Sequence, residues 1–286
     1  MPSSVNHYEN FPVASWLCPA RLRPVIAAIY WFARTADDLA DEGDTPLAKR
    51  LGDLETYRAN LHAIAKGHDP SGQWAGLFEA LAPHLVQHKL PVTLLDNLLD
   101  AFEQDISYTA AGHWYADHAE LLDYCSLSAN PVGRLLLHLY GVTDPIALIA
   151  SDNICSALQL INFWQDLSVD LPRQRYYVPL DLMTSHSVNP MALMAGQDTA
   201  QTMNLVAACV DLAWARMHKG SKLPARVQRQ LGGFDGWRAS LELRCVIQGG
   251  LRILDKIRAL KHRTISQRPK LGKWDVCVVV WRALWM

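Results

Sequence analysis

Glutamate is scarce in this chain: there are 7 glutamates against 21 aspartates. Glutamate favours helix interiors more than aspartate does, so the aspartates must be sorted into caps, turns and ligands. An excess of charge of one sign is also missing. The 27 basic and 28 acidic residues leave a formal net charge of -1, without the electrostatic footprint of a nucleic-acid binder. Glycine (16) and proline (15) are too few for a collagen or linker composition. The six cysteines (Cys18, Cys125, Cys155, Cys209, Cys245 and Cys277) form no CxxC pair, which argues against a zinc ribbon or dithiol motif. Their apolar surroundings suit reduced core thiols in a cytoplasmic protein. The N-terminal MPSSVNHYENF lacks the basic-then-apolar order of a signal peptide. No apolar run reaches the ~20 residues that span a bilayer.

Alternating β-branched patterns are nearly absent, as are short repeats. Instead, apolar residues recur at helical spacing from Pro24 to Asp41 and over roughly 46–66, 73–88, 91–111, 117–141, 145–171, 198–219 and 235–261. The segment 172–197 reads as an irregular connection. The pattern predicts an all-α, single-domain helical bundle over residues 1–286. The C-terminal stretch 272–286, preceded by Lys270, mixes Lys273 and Arg282 with Trp274, Trp281 and Trp285. Such a helix either packs on the core or lies at a membrane interface.

Aspartates fall four apart at Asp37/Asp41, Asp96/Asp100 and Asp166/Asp170, and that spacing shares a helix face. About 1.5 such pairs arise by chance at this composition, so context must separate them. Like charges at this spacing oppose the helix, and acids at a helix C-terminus oppose its dipole. A divalent cation would offset both terms, and hard oxygen ligands suit Mg²⁺, which also takes phosphate oxygens. Arg34 lies one turn before Asp37, beside Tyr30. Asn162 lies one turn before Asp166, and Arg173-Gln174-Arg175-Tyr176-Tyr177 follows Asp170. Guanidinium forks match phosphate, so these two pairs read as a metal–diphosphate site. Asp96/Asp100 has no such flanks and reads as a solvated face. A di-iron bundle would need ExxH motifs and a serine hydrolase GxSxG. Neither occurs, and His84/His88 has no local carboxylate partner.

At these residues the chain resembles the squalene/phytoene synthase family of all-α isoprenoid synthases, over roughly Tyr8 to Arg268. The stretch Tyr30-Trp31-Phe32-Ala33-Arg34-Thr35-Ala36-Asp37-Asp38-Leu39-Ala40-Asp41 is similar to the first aspartate motif of the family. The stretch from Gln159 to Asp170 is similar to the second, and Arg175 to Leu180 to the segment after it. Tyr124-Cys125, with Val132-Gly133 beyond, resembles the helix whose tyrosine lines the reaction cavity. Gln165 stands where the family usually has Arg. Ser128-Ala129-Asn130-Pro131 replaces a small apolar segment, and Gly249-Gly250 a common Tyr. The segments HYENFPVAS, ANPVG, NFWQD and RPKLGKW look most like the branch that acts in bacterial hopanoid biosynthesis.

The resemblance implies a bundle with a central cavity in which Asp37, Asp41, Asn162, Asp166 and Asp170 hold Mg²⁺ on a diphosphate. Arg34, Gln165, Arg175 and Arg268 would bind that diphosphate. It implies a carbon–oxygen lyase acting on presqualene diphosphate, with water capturing the final cation to give hydroxysqualene. Tyr30, Tyr124, Phe11, Phe163 and Trp164 are candidates to face cations, and Ser128 and Asn130 to position the water. The competing readings are head-to-head condensation of two prenyl diphosphates, such as farnesyl diphosphate, to presqualene diphosphate, squalene or phytoene, and a noncatalytic family member. The implied setting is cytoplasmic, at the inner face of the membrane through the C-terminal tail, beside other hopanoid-pathway enzymes.

Overall fold

Pro24 sits in the first turn of α1 (Arg23–Asp41), where a missing N–H costs nothing. Val25, Ile29, Phe32, Ala36 and Ala40 are buried along one face of this helix. Tyr30, Arg34 and Asp37 follow one another on a second face. The computed structural model describes residues 17–41 and 45–286. Phe11 and the HYENFPVAS segment lie outside the described residues. The backbone of Asp41 closes α1, but its side chain is not described.

Fourteen α-helices and no strand occur among the described residues, as the sequence pattern predicts. α2 (Leu47–Ala65), α3 (Ala75–His88) and α4 (Val92–Ala111) pack with α1 into one group. α5 (His118–Ser128) and α6 (Asn130–Leu139) join this group to α7 (Pro145–Gln165), which continues into α8 (Leu167–Asp170). Two short helices, α9 (Leu180–Ser185) and α10 (Pro190–Met194), interrupt the expected irregular connection. α11 (Ala200–Gly220), α12 (Leu223–Leu231), α13 (Gly233–Ala259) and α14 (Lys273–Leu284) complete the chain. One cluster of buried apolar side chains runs from Cys18 to Ile265.

α7 is the hub, touching α5, α6, α11, α12 and α13. Among the described residues it is the one helix long and apolar enough to cross a membrane, and half of that window is buried in the protein. Small residues let its neighbours approach. A Cβ at Gly220 of α11 would lie 2.6 Å from the Ala150 carbonyl oxygen, and one at Gly133 of α6 would collide with Ser151 and Cys155.

Three expectations of helix extent need correction. The pattern over 117–141 is two helices, broken at Ala129 (φ -120°, ψ -46°). Pro131, in the first turn of α6, disfavours one continuous helix, because it lacks the N–H and its ring crowds the preceding turn. The pattern over 145–171 breaks at Asp166 (φ -103°, ψ 11°). Even so, the Asp170 N–H still reaches the Asp166 carbonyl at 2.9 Å. α12 was not expected; Pro224 in its first turn starts it.

Candidate functional site

The two aspartate-bearing helix ends meet at one cavity of about 630 Å³, within the usual size of a ligand pocket. α1 contributes Tyr30, Arg34 and Asp37 to its wall; α5 contributes Tyr124 and Ser128. α7 and α8 contribute Asn162, Phe163, Asp166 and Asp170, and Arg175 and Arg268 close the polar end. Of the expected site residues, Tyr30, Arg34, Asp37, Tyr124, Asn162, Asp166, Asp170, Arg175 and Arg268 all line this one space.

At the polar end, each aspartate pair already engages a guanidinium. Arg34 binds Asp37 at 3.1 Å and Asp38 at 2.5 Å. The Arg268 fork donates twice to Asp166, at 2.6 and 2.8 Å. This bidentate pair joins residues 102 apart in sequence, and it fixes the 264–269 segment over the end of α7. The Arg175 N–H bonds the Asp170 carbonyl at 3.0 Å, following a left-handed Gln174 (φ 60°). The lining holds four carboxylates (Asp37, Asp105, Asp166 and Asp170) and four guanidiniums (Arg34, Arg173, Arg175 and Arg268). The near-neutral composition therefore contains a dense alternation of opposite charges at one place.

The inner wall is aromatic. Phe163 and Tyr177 stack with ring centroids 3.8 Å apart, and Tyr124 lies 6.1 Å from both. Tyr177 reaches the cavity because its neighbour is pinned outside: Tyr176 stacks on Trp114 at 4.1 Å, and the backbones of this pair form an isolated bridge. The Leu180 and Asp181 N–H groups bond the Tyr115 and Ala116 carbonyls. A stretch that reads as an irregular connection is thus tied down as a cavity wall.

Asp105 of α4 is the principal residue that sequence analysis missed. Its carboxylate accepts the Tyr124 hydroxyl at 2.5 Å and the Tyr177 hydroxyl at 3.3 Å. Burial, then the nearby Asp105 charge, holds both tyrosines well above their ordinary pKa, so both stay protonated donors. Asp105 has no aspartate four residues away, so the pairing signal passes over it.

Three expected residues are placed differently. Gln165 lines the second cavity described below rather than the first, and its amide donates to the Pro269 carbonyl at 2.8 Å. It supports the turn that carries Arg268. Asn130 lines neither cavity described here, and its oxygen accepts the Ser156 hydroxyl at 2.9 Å. Trp164, expected as a cation-facing aromatic, lies wholly in the core. Ser128 does face the cavity, and its hydroxyl oxygen is buried without a hydrogen-bond partner.

A second cavity of about 560 Å³ shares Ser128, Gln159, Asn162, Asp166 and Arg268 with the first. Val132, Leu158, Ile161, Ile253 and Gly250 make it more apolar. Burial pushes the Cys155 thiol in its wall up to about 11, so this group is uncharged. One polar end thus serves two less polar limbs. Among the described residues, no three His, Cys, Asp or Glu side chains converge into a ready cation cage. The donor set is nonetheless hard oxygen throughout, and Mg²⁺ typically takes one or two carboxylates, waters and substrate phosphate oxygens. The residues fit that mode of binding.

The Asp96/Asp100 pair differs. Arg58 of α2 bridges Asp96, Asp100 and Glu103, and His62 adds a contact to Asp96 at 2.8 Å. Its charges are satisfied across two helices and face no cavity described here.

Comparison with known proteins agrees with this arrangement. The squalene/phytoene synthase family pattern matches residues 5–275, ending in the first turn of α14. A hydroxysqualene synthase of Zymomonas mobilis is 38% identical over 176 residues, covering 61% of this chain and 56% of that protein. The match thus spans little more than half the length of that relative. A hydroxysqualene synthase of Sinorhizobium fredii is 31% identical over 228 residues, 79% of this chain and 73% of that protein. The crystal structure of squalene synthase HpnC from Alicyclobacillus acidocaldarius superposes with a TM-score of 0.77 at 32% identity, covering 89% of this chain and 90% of that one.

Proposed function

We propose an activity from one premise: this chain belongs to the squalene/phytoene synthase family. The activity is conversion of presqualene diphosphate and water to hydroxysqualene and diphosphate, a carbon–oxygen lyase reaction. The observation that carries it is the single cavity that joins both aspartate-bearing helix ends to arginines at one end and aromatic rings at the other. The names of the similar hydroxysqualene synthases support the choice of product.

Asp37, Asp166 and Asp170, with Asn162 and the Asp41 of the same motif, would hold Mg²⁺. The metal supplies Lewis-acid stabilisation of a departing diphosphate. Arg34, Arg175 and Arg268 bind the diphosphate oxygens and offset the charge that grows as the C–O bond breaks with its electron pair on oxygen. The cyclopropylcarbinyl cation left behind rearranges beside Tyr30, Phe163, Tyr124 and Tyr177, whose ring faces favour positive charge. The aromatic wall and the more apolar second limb limit the water that meets the cation. A captured water then forms the new C–O bond and loses its proton, which leaves with the diphosphate. Gln165 acts by holding the Pro269 turn, and the described helices work as one unit around the continuous core. The setting is the cytoplasm, beside other hopanoid-pathway enzymes.

Ser128, rather than Asn130, positions the captured water, because its hydroxyl faces both limbs and is not committed to a protein partner. In Ser128→Ala the ratio of alcohol to elimination product should fall about tenfold, the loss of one hydrogen bond of ~1–1.5 kcal/mol. Asn130→Ala should leave the ratio unchanged. Mass spectrometry of the products distinguishes these outcomes.

The proposed activity is tested by incubating purified protein with presqualene diphosphate and Mg²⁺, without a nicotinamide cofactor. Hydroxysqualene is the expected product, and no diphosphate release would overturn the proposal. The two-limbed cavity also suits head-to-head condensation of two farnesyl diphosphates, the second reading. Turnover of farnesyl diphosphate alone would select it.

A further inference from the structure

α14 reverses the usual pattern of a surface helix. Its inward positions are Asp275, Val279 and Ala283, all buried against the protein. Asp275 is clamped by Arg252 at 2.7 Å and Lys256 at 2.6 Å, and it accepts the Gly272 N–H. Burial alone would raise the Asp275 pKa, but the Gly272 N–H and these two cations hold it well below the usual carboxylate range. Arg282 ties the far end of the helix to Asp255 at 2.6 Å. The helix is therefore held in place by charged contacts on its inner side.

Its outer side is apolar. Trp274, Trp281 and Trp285 are 85%, 63% and 76% exposed, and Val276, Val280 and Leu284 are exposed beside them. Positions 274, 277, 281 and 285 follow the 3- and 4-residue spacing of one helix face, a stripe of about 16 Å at the α-helical rise. Trp281 and Trp285 lie 5.6 Å apart and, with Met286 and Gln248, edge a shallow groove of about 480 Å³. Contiguous exposed apolar surface of this kind marks an interaction site.

Charge selects the occupant. Residues 256–286 contain eight basic residues and one acid, Asp275; Lys256, Arg258, Arg268 and Arg282 are ion-paired with acids. Asp275 is buried and already paired. Lys261, Arg263 and Lys273 are exposed on the approach to α14. Among the described residues, none of these three has a carboxylate in ion-pair contact. Tryptophans beside basic residues match the headgroup region of a bilayer, and a basic cluster beside them adds attraction to anionic lipid. A second copy of the chain seated symmetrically on this face would bring two such basic segments together, which opposes it.

We propose that α14 docks the protein on an anionic lipid surface. The Trp274–Trp281–Trp285 stripe enters the headgroup region, and the basic 261–273 segment lies over the lipid phosphates. This assignment is independent of the product formed in the cavity.

The test is co-sedimentation of the full chain with phosphatidylcholine vesicles, with and without phosphatidylglycerol. Wild-type protein should bind the anionic vesicles at least about tenfold more tightly than the zwitterionic ones. It should also show quenching of tryptophan fluorescence by brominated acyl chains. The variant Trp274→Ser/Trp281→Ser/Trp285→Ser, checked as folded by circular dichroism, should lose binding by at least about tenfold. Lys261→Gln/Arg263→Gln/Lys273→Gln should keep its Trp stripe and lose the preference for anionic lipid. Wild-type protein that stays in the supernatant overturns the proposal. So does equal binding by the Trp variant, or a dimer that this variant abolishes without any vesicle binding by the wild type.

Discussion

Replacing Asp166 by asparagine should leave a folded protein whose diphosphate release is about 10²- to 10³-fold slower, the scale of removing a preorganised stabilising group from an active site. The fold should survive because the backbone of Asp166 does the local structural work. Its N–H bonds the Asn162 carbonyl at 3.0 Å, and its own carbonyl receives the Val169 and Asp170 N–H groups. Asparagine can keep all of these bonds. What it cannot keep is the pair of bonds from the Arg268 fork at 2.6 and 2.8 Å. One carboxylate oxygen becomes an NH₂ facing a guanidinium N–H, so two donors confront each other. The Asp166 side chain is only 12% exposed, and solvent does little to relieve that contact. Arg268 then loses its orientation and the proposed Mg²⁺ site loses a charge. The Mg²⁺ concentration for half-maximal rate should therefore rise together with the fall in kcat. Asp96→Asn is the control, since it removes a carboxylate that serves Arg58 and His62 and lines neither cavity. It should cost on the order of 1 kcal/mol of stability and leave turnover within about twofold. Equal rates for wild type and Asp166→Asn would mean that the second pair is as structural as the Asp96 pair.

These two pairs show how much was legible in the residues alone. Asp37, Asp166 and Asp170 could be read as site residues because their neighbours on the same turns, Arg34 and Asn162, are also in the sequence neighbourhood. The separate fate of Asp96/Asp100 was legible for the same reason. The fold class followed from helical periodicity, which is local. What was not legible depends on contacts between distant segments. The Arg268 fork reaches Asp166 across 102 positions, and the Gln165 amide meets Pro269 across 104. No local pattern records either contact. Gln165 occupies the position before an aspartate motif and lines the second cavity, but its tie to Pro269 could not be read locally. Asn130 misled in the same way, since its partner Ser156 lies on another helix. Breaks at Ala129 and Asp166 were missed because apolar periodicity continues through them while the backbone does not. Pro131 carried the signal for the first break. For the second, the apolar pattern offered none.

Asp105→Asn should slow turnover by about 30- to 100-fold, and a double-mutant cycle should assign most of that loss to Tyr124. The Asp105 carboxylate holds two hydroxyls, Tyr124 at 2.5 Å and Tyr177 at 3.3 Å. A hydrogen bond to a charged acceptor is worth about 1.5–3 kcal/mol, and each 1.4 kcal/mol is a tenfold change in rate. The shorter bond carries the larger share. Tyr124 sits against the Phe163–Tyr177 stack, so releasing its hydroxyl frees a ring that we assign to the cation. The cycle combines Asp105→Asn with Tyr124→Phe and, separately, with Tyr177→Phe. Coupling in kcat/KM of about 1.5–3 kcal/mol is expected for the first pair, and less than 1 kcal/mol for the second. A titration gives an independent readout. Burial and then Asp105 raise both tyrosine pKa values. A raised native value contributes stability in full below the ordinary tyrosine pKa near 10. That contribution is lost as pH rises toward the native value. Removing the carboxylate removes the second cause, so tyrosinate absorbance in Asp105→Asn should appear at lower pH than in wild type. If Asp105→Asn and Tyr124→Phe instead add without coupling, Asp105 acts on the substrate or its cation directly, and the tyrosine hydroxyls only fill its lone pairs.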